Sequence, residues 1–237
     1  MAKGVLYMIP CPISDSTAVY DVVPEANRNI INSLDYFIVE NVRSARRFLS
    51  KAGIERKIDD LEFVELNEHT REGVAVEAMV RPIMEGRSAG VISEAGVPGV
   101  ADPGALVAEA CHRKGIRVVP LVGPSSILLA IMASGLNGQS FAFNGYLPVK
   151  PPERAKAIKM FERRAQVEHQ SQVFIEAPYR NVKLVEQMFQ LLSPATKLTI
   201  ACDITSPEEI IVTRSIEQWR KAQMPDIAKR PTIFIMG

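Results

Sequence analysis

The 237-residue sequence contains little cysteine, histidine or tryptophan: three, three and one residues, respectively. The cysteines, Cys11, Cys111 and Cys202, are odd in number and lack Cys-x-x-Cys spacing, which argues against a disulfide framework and a zinc site. No run of 18 apolar residues occurs, and the apolar segment 5–9 is too short for a signal-peptide core. We therefore expect a cytoplasmic protein without a metal cluster.

The sequence also has no excess charge of either sign, with 28 basic and 27 acidic residues. Global electrostatics therefore give no steering toward nucleic acid, and any RNA contact must come from a local patch. Two segments are basic: residues 43–47, with Arg43, Arg46 and Arg47, and residues 150–164, with six basic and two acidic residues. Each segment could contact phosphates or form a solvated helix face.

Short apolar segments alternate with helical segments in the first half of the chain. Strands are predicted at 5–9, 36–39, 63–66, 90–93 and 117–121, and helices at 43–52, 74–85 and 105–114. Gly53, Gly86 and Gly115 each follow a predicted helix, where glycine commonly forms a left-handed C-terminal cap. This alternation predicts βαβ units and a mainly parallel sheet.

The second half changes character. Strands predicted at 198–202, 209–213 and 232–236 have only one short helix, 216–222, among them, which indicates a mixed sheet with antiparallel pairs. We therefore predict two α/β domains, residues 1–120 and 121–237.

Three loops rich in small residues follow predicted strands. Residues 93–104 contain three glycines and two prolines, together with the carboxylates of Glu94 and Asp102. Residues 10–16 and 123–126 have the same character. Each loop alone could be an ordinary turn or helix cap, but their joint occurrence predicts one shared binding cleft. A Rossmann site would have the motif Gly-x-Gly-x-x-Gly soon after the first strand. Residues 10–16, which follow that strand, contain no glycine, so a Rossmann site is disfavoured.

Taken together, these loops resemble those of the tetrapyrrole methylase superfamily, in particular its small-subunit ribosomal RNA (cytidine 2'-O)-methyltransferase branch. Further matching positions are Glu40, Arg43, His69, Glu72, Glu176, Arg180 and Thr205. The resemblance implies two α/β domains with a cofactor cleft between them, S-adenosylmethionine as methyl donor, ribosomal RNA as acceptor and a homodimer. It places these residues at the cofactor: Pro12, Glu94, Ala95, Gly96, Asp102, Ser125, Ser126 and Ala177.

Methyl transfer from a sulfonium is an in-line displacement, so alignment in a dry cleft supplies much of the acceleration. A ribose hydroxyl also needs a group that takes or orients its proton, and the catalytic candidates are Glu40, His69 and Glu176. His69 could equally be a surface histidine. Glu176 ends an apolar run, so it needs a partner such as Arg180 or a ligand, and a plain ion pair is the alternative.

The sequence departs from the branch at several positions. Ser14 and Asp15 stand where the branch has Gly-Asn, and Ser14 would be strained if that position required positive φ. Asn41, Asn67, Glu94 and Asp203 are further substitutions, and the C-terminal extension of long members is expected to be missing after Gly237. These departures leave two alternatives open: a methylase of a tetrapyrrole or other small molecule, and a non-catalytic S-adenosylmethionine-binding protein.

Overall fold

The computed structural model describes residues 2–66 and 74–237, without the side chain of Val74. The chain divides into two compact units, Met1–Ser125 and Ser126–Gly237, called here the first and second units. Each unit contains a five-stranded sheet flanked by helices. The predicted fold class of two α/β domains is confirmed.

The sheet of the first unit is entirely parallel, with strand order β3-β2-β4-β1-β5. Its strands are β1 (Val5–Ile9), β2 (Tyr36–Val39), β3 (Glu62–Glu65), β4 (Ala89–Ile92) and β5 (Arg117–Pro120). All residues of β2 and β4 are buried, as expected for central strands covered on both faces. Gly90 permits this packing, because a Cβ there would lie 2.5 Å from Ile9 Cδ1. The predicted parallel sheet is confirmed.

The described helices of the first unit are α1 (Val19–Val22), α2 (Asn27–Ser33), α3 (Val42–Lys51), α4 (Val74–Met84) and α5 (Gly104–Arg113). Gly53, Gly86 and Gly115 have φ of +69°, +104° and +60°, which confirms the three predicted caps. The sequence analysis did not predict α1 and α2. Both helices are short, and neither has a side-chain hydrogen bond at its N-cap.

The second unit has strand order β6-β7-β10-β8-β9, in which β6 and β7 are parallel and the other pairs antiparallel. Its elements are α6 (Ser126–Ser134), β6 (Phe141–Tyr146), α7 (Pro151–Glu168), β7 (Ser171–Ile175), α8 (Asn181–Leu191), β8 (Lys197–Cys202), β9 (Ile210–Ser215), α9 (Ile216–Lys221) and β10 (Thr232–Met236). A 3₁₀ turn, Pro178–Arg180, precedes α8. The predicted mixed sheet is confirmed.

Strand β10 is the centre of the second core, since all its residues are buried. Phe234 stacks on Phe174 with ring centroids 5.9 Å apart, and the buried Trp219 donates its Nε1–H to Leu198 O at 2.8 Å. Across the described residues, no helix is both long and apolar enough to cross a membrane.

A buried carboxylate joins α7 to the segment before β8. Glu162 Oε1 accepts hydrogen bonds from Ser193 N at 2.6 Å and Thr196 Oγ1 at 2.7 Å, and Oε2 accepts from Lys159 Nζ at 3.0 Å. Burial acts to raise the pKa of Glu162, but these hydrogen bonds together outweigh it and leave the pKa below its ordinary value. The charged form therefore stabilises the folded state.

We expect Glu162→Gln to lower the free energy of unfolding by about 1–3 kcal/mol at pH 7, because the buried donors lose a charged acceptor. A carboxylate whose pKa is lowered on folding stabilises the protein above its unfolded-state pKa, about 4.3 for Glu. That stability is lost as the pH falls through the folded-state pKa. Urea unfolding at pH 7 and near pH 4 should therefore show the difference from wild type shrinking in acid. The control is Glu168→Gln at the exposed end of α7; equal effects of the two substitutions would contradict the prediction.

Candidate active site

Three loops leave adjacent strands of the first sheet at the same edge. They are loop 1 (residues 10–16) after β1, loop 2 (residues 93–103) after β4, and loop 3 (residues 121–125) after β5. Strand β1 pairs with both β4 and β5, and all three strands are parallel, so their carboxyl ends lie side by side.

Direct contacts join the three loops. Cys11 N donates to Gly96 O at 2.8 Å, and Gly96 N donates to Cys11 O at 3.2 Å. Gly123 packs against Pro10 so closely that a Cβ on the glycine would lie 2.3 Å from the proline Cβ. Gly96 has φ of +70°, and a Cβ there would lie 3.5 Å from Pro124 O. The loops therefore meet at one edge, as the sequence predicts.

Asp102 uses both carboxylate oxygens within loop 2 and at the start of α5. Oδ2 accepts from Gly99 N at 2.8 Å, and Oδ1 accepts from Gly104 N at 2.7 Å. Between these contacts the backbone is left-handed, with φ of +83° at Gly99 and +62° at Ala101. Such a conformation is unfavourable for alanine and needs support from its surroundings. The Asp102 side chain thus shapes the loop, and its cofactor-binding role stays a prediction.

The end of β2 joins the same edge through Glu40. Glu40 Oε2 accepts from Glu94 N at 3.2 Å, and the Glu94 carboxylate accepts from the Ser44 hydroxyl at 3.0 Å. Asn41 caps α3 by accepting from Ser44 N at 3.1 Å, so its replacement of aspartate preserves the cap. Ser44 is a contact residue that the sequence analysis missed. Its one signal was its place three residues after the capping Asn41.

A pocket of about 50 Å³ lies between loop 1, loop 2 and α3, with Cys11, Pro12, Ser14, Arg47 and Glu94 in its lining. Burial, with a smaller contribution from the Glu94 charge, raises the pKa of the Cys11 thiol, so the thiol stays protonated and is not a nucleophile.

The strain considered for Ser14 is absent. In the described part of the chain, positive φ outside glycine is confined to Ala101, His169, Asp203, Thr205 and Lys229. Serine therefore fits at position 14 without a left-handed backbone, and loop 1 needs no glycine there.

Glu176 follows β7 in the second unit, and its side chain is fully buried. Oε1 accepts from Ala177 N and from Arg180 Nε, both at 2.7 Å, so Arg180 is the partner that the sequence indicated. Oε2 has no hydrogen-bond partner. Arg180 Nη1 also donates to the Tyr179 hydroxyl at 2.7 Å. Glu176 therefore orients Arg180.

The predicted site residues are divided between the two units. Pro12, Glu94, Ala95, Gly96, Asp102 and Ser125 belong to the first unit, and Ser126 and Ala177 to the second. His69, like Asn67 and Glu72, lies outside the described residues. The catalytic roles of Glu40, His69 and Glu176 and the cofactor-binding roles of the eight residues stay predictions. Within the described residues, no group of three His, Cys, Asp or Glu side chains could hold a metal ion.

Two solved methyltransferase structures have the same fold as this chain. The methyltransferase CobJ superposes with a TM-score of 0.63 at 17% identity, covering 99% of this chain and 94% of that one. The cobalamin biosynthetic enzyme cobalt precorrin-4 methyltransferase gives 0.60 at 14% identity, covering 98% and 94%. Identities this low show a shared fold. The chain thus shares the two-unit α/β fold of these two enzymes.

The sequence comparisons place the chain more narrowly. The model of the tetrapyrrole (corrin/porphyrin) methylases matches residues 23–219, and the chain belongs to this family of methyltransferases. It is 30% identical to ribosomal RNA small subunit methyltransferase I of Vibrio cholerae over 87% of this chain and 67% of that protein. The protein of that name from Escherichia coli O157:H7 is 29% identical over 89% and 68%.

We expect Asp102→Ala to loosen loop 2 without unfolding the protein. The substitution leaves two backbone N–H groups without their acceptor and removes the support for the left-handed Ala101. Hydrogen exchange measured by mass spectrometry should be faster in peptides covering residues 95–106 and unchanged in β7 and β10. Asp15→Ala, which changes an exposed residue of loop 1, is the control; unchanged exchange in Asp102→Ala would contradict the shaping role.

Proposed function

We propose that the protein transfers a methyl group from S-adenosylmethionine to a ribose 2'-hydroxyl of small-subunit ribosomal RNA, in the cytoplasm and as a homodimer. The observation that carries this proposal is the similarity to ribosomal RNA small subunit methyltransferase I over most of the chain. The solved methyltransferases share the fold at only 14–17% identity, so their substrates do not indicate the substrate of this chain.

The loop edge of the first unit suits a bound S-adenosylmethionine. Ala95 is exposed and offers its backbone and a small side chain, and its neighbour Gly96 is fixed by two hydrogen bonds to Cys11. Such a surface can hold a ligand with little loss of side-chain entropy. Bound there, S-adenosylmethionine would supply an electrophilic methyl group on its sulfonium. The chain's own part is to align the acceptor and exclude water.

Among the described catalytic candidates, Glu40 is half-buried and Glu176 is buried. We therefore propose Glu40 as the residue that faces the acceptor hydroxyl, while Glu176 acts through Arg180. The contact of Glu40 with Glu94 N ties this role to the position of loop 2.

The exposed basic residues of helix α7 favour the proposal that the acceptor is RNA. Lys156, Arg163 and Arg164 are exposed, and none of them forms a salt bridge with another described residue. Three free cations along one helix suit phosphate contacts. Arg154 takes no part, because it is buried and donates to Gln187 Oε1 at 2.5 Å.

The acceptor class is tested by incubating the protein with methyl-labelled S-adenosylmethionine and an extract from cells that lack its gene. We expect label in small-subunit ribosomal RNA, at a nucleotide that resists alkaline hydrolysis because its 2'-hydroxyl is methylated. Label in a small molecule would favour a tetrapyrrole-type methylase. No transfer, despite intact binding of S-adenosylmethionine, would favour a non-catalytic binding protein. Either result would overturn the RNA assignment.

Gly123→Ala should weaken binding of S-adenosylmethionine about tenfold or more, measured by calorimetry against a wild-type dissociation constant on the order of micromolar. A Cβ at 2.3 Å from Pro10 forces loop 3 away from loop 1. The control is Gly138→Ala, where a Cβ meets only Ile131 Cγ2 at 3.7 Å. If both variants bind like the wild type, the loop edge is not the donor site.

A further inference from the structure

Two exposed tyrosines and an arginine lie at and just after the carboxyl ends of the parallel strands β6 and β7. Tyr146 is 63% exposed at the end of β6, and Tyr179 is 69% exposed in the 3₁₀ turn after β7. Arg180, next to Tyr179, places its Cζ 5.0 Å from the Tyr179 ring centroid. These three residues are called here the tyrosine–arginine patch. Large aromatic surface left in water this way often marks a binding site.

A β-bulge places Tyr146. The register between β6 and β7 shifts between Phe143 and Tyr146, and Gly145 within the shift has φ of +64°. No atom lies within 4 Å of a Cβ built on Gly145, so the backbone conformation, and not space, favours glycine there. Asn144 Nδ2 holds the bulge by donating to Gln172 Oε1 at 3.1 Å. Bulges of this kind re-aim side chains near functional sites.

The buried carboxylate of Glu176 fixes the arginine of the patch. The ion pair measures 2.5 Å, and the carboxylate is fully buried. The hydrogen bond that Arg180 donates to Glu176, together with the charge of that carboxylate, raises the pKa of Arg180 against the opposing effect of burial. Tyr146 pairs in register with Ile175, the residue before Glu176, so it lies beside the strand that leads into the turn carrying Tyr179 and Arg180. Lys229 N donates to Pro178 O at 3.1 Å and holds the turn that carries Tyr179.

We propose that the tyrosine–arginine patch is a stacking platform for unpaired bases of the RNA acceptor, an inference that rests on the proposed function. Unpaired bases stack on tyrosine rings and on guanidinium planes, and every base offers a π-face. The guanidinium, whose charge Glu176 compensates, adds a planar face beside the Tyr179 ring. The buried carboxylate and the bulge hold the groups in place before RNA arrives, so little side-chain entropy is lost on binding.

The test compares two fluorescein-labelled single-stranded RNA probes of about 12 nucleotides, a length within the range that such sites cover. One probe carries its bases, and the other has abasic riboses at the central positions and the same number of phosphates. We expect Tyr146→Ala and Tyr179→Ala to weaken binding of the first probe about 5- to 100-fold. Binding of the abasic probe should not change, and Tyr146→Phe and Tyr179→Phe should bind both probes like the wild type.

Each other result has a distinct meaning. A wild-type protein that neither binds the base-containing probe nor methylates RNA contradicts the proposed function itself. A wild type that methylates RNA, with alanine variants that bind both probes normally, overturns only the platform. Equal weakening for both probes also overturns it, since the effect is then not on stacking. Dissociation of the alanine variants in light scattering, with RNA affinity unchanged, would assign the patch to a protein interface instead.

Discussion

The candidate donor site depends on two backbone hydrogen bonds between Cys11 and Gly96, which join the loops after β1 and β4. A chain that leaves a parallel sheet loses the ladder partners of its N–H and C=O groups, and these groups need others. Here the backbone N–H and C=O groups of Cys11 and Gly96, in two such loops, bond to each other. The arrangement requires close approach, and Gly96 and Gly123 provide it, one by adopting positive φ and the other by leaving room for Pro10. Glycine in these loops thus brings segments together rather than making them flexible.

Most of the fold could be predicted because its signals are local. Fully buried strands such as β2 and β4 are unbroken apolar runs, and Gly53, Gly86 and Gly115 mark helix ends through their left-handed backbone. Helices α1 and α2 escaped prediction because they are short and begin without a capping side chain.

The candidate site was predictable in its loops but not in its individual contacts. The positions of the loops follow from the strands that they leave. The contact of Asp102 with Gly99 N, by contrast, depends on the backbone conformation within loop 2, and the contact of Ser44 with Glu94 joins residues 50 positions apart. A carboxylate in a binding loop suggests a ligand, and the sequence cannot show that Gly99 N and Gly104 N already occupy both Asp102 oxygens. Glu176 was more tractable. A charge that ends a buried run must find an opposite charge nearby, and Arg180 is four residues away.

The Glu176–Arg180 pair illustrates how the second unit differs from the first. A buried ion pair adds little net stability over a well-packed apolar pair, because the desolvation of both groups offsets their attraction. In this pair, moreover, Oε2 of the carboxylate is left without a partner. Stability alone therefore does not account for the arrangement. Orientation does, because a buried carboxylate fixes the guanidinium beside the Tyr179 ring. In the first unit, backbone hydrogen bonds hold the loops in position. In the second unit, a buried carboxylate holds the Arg180 side chain in position.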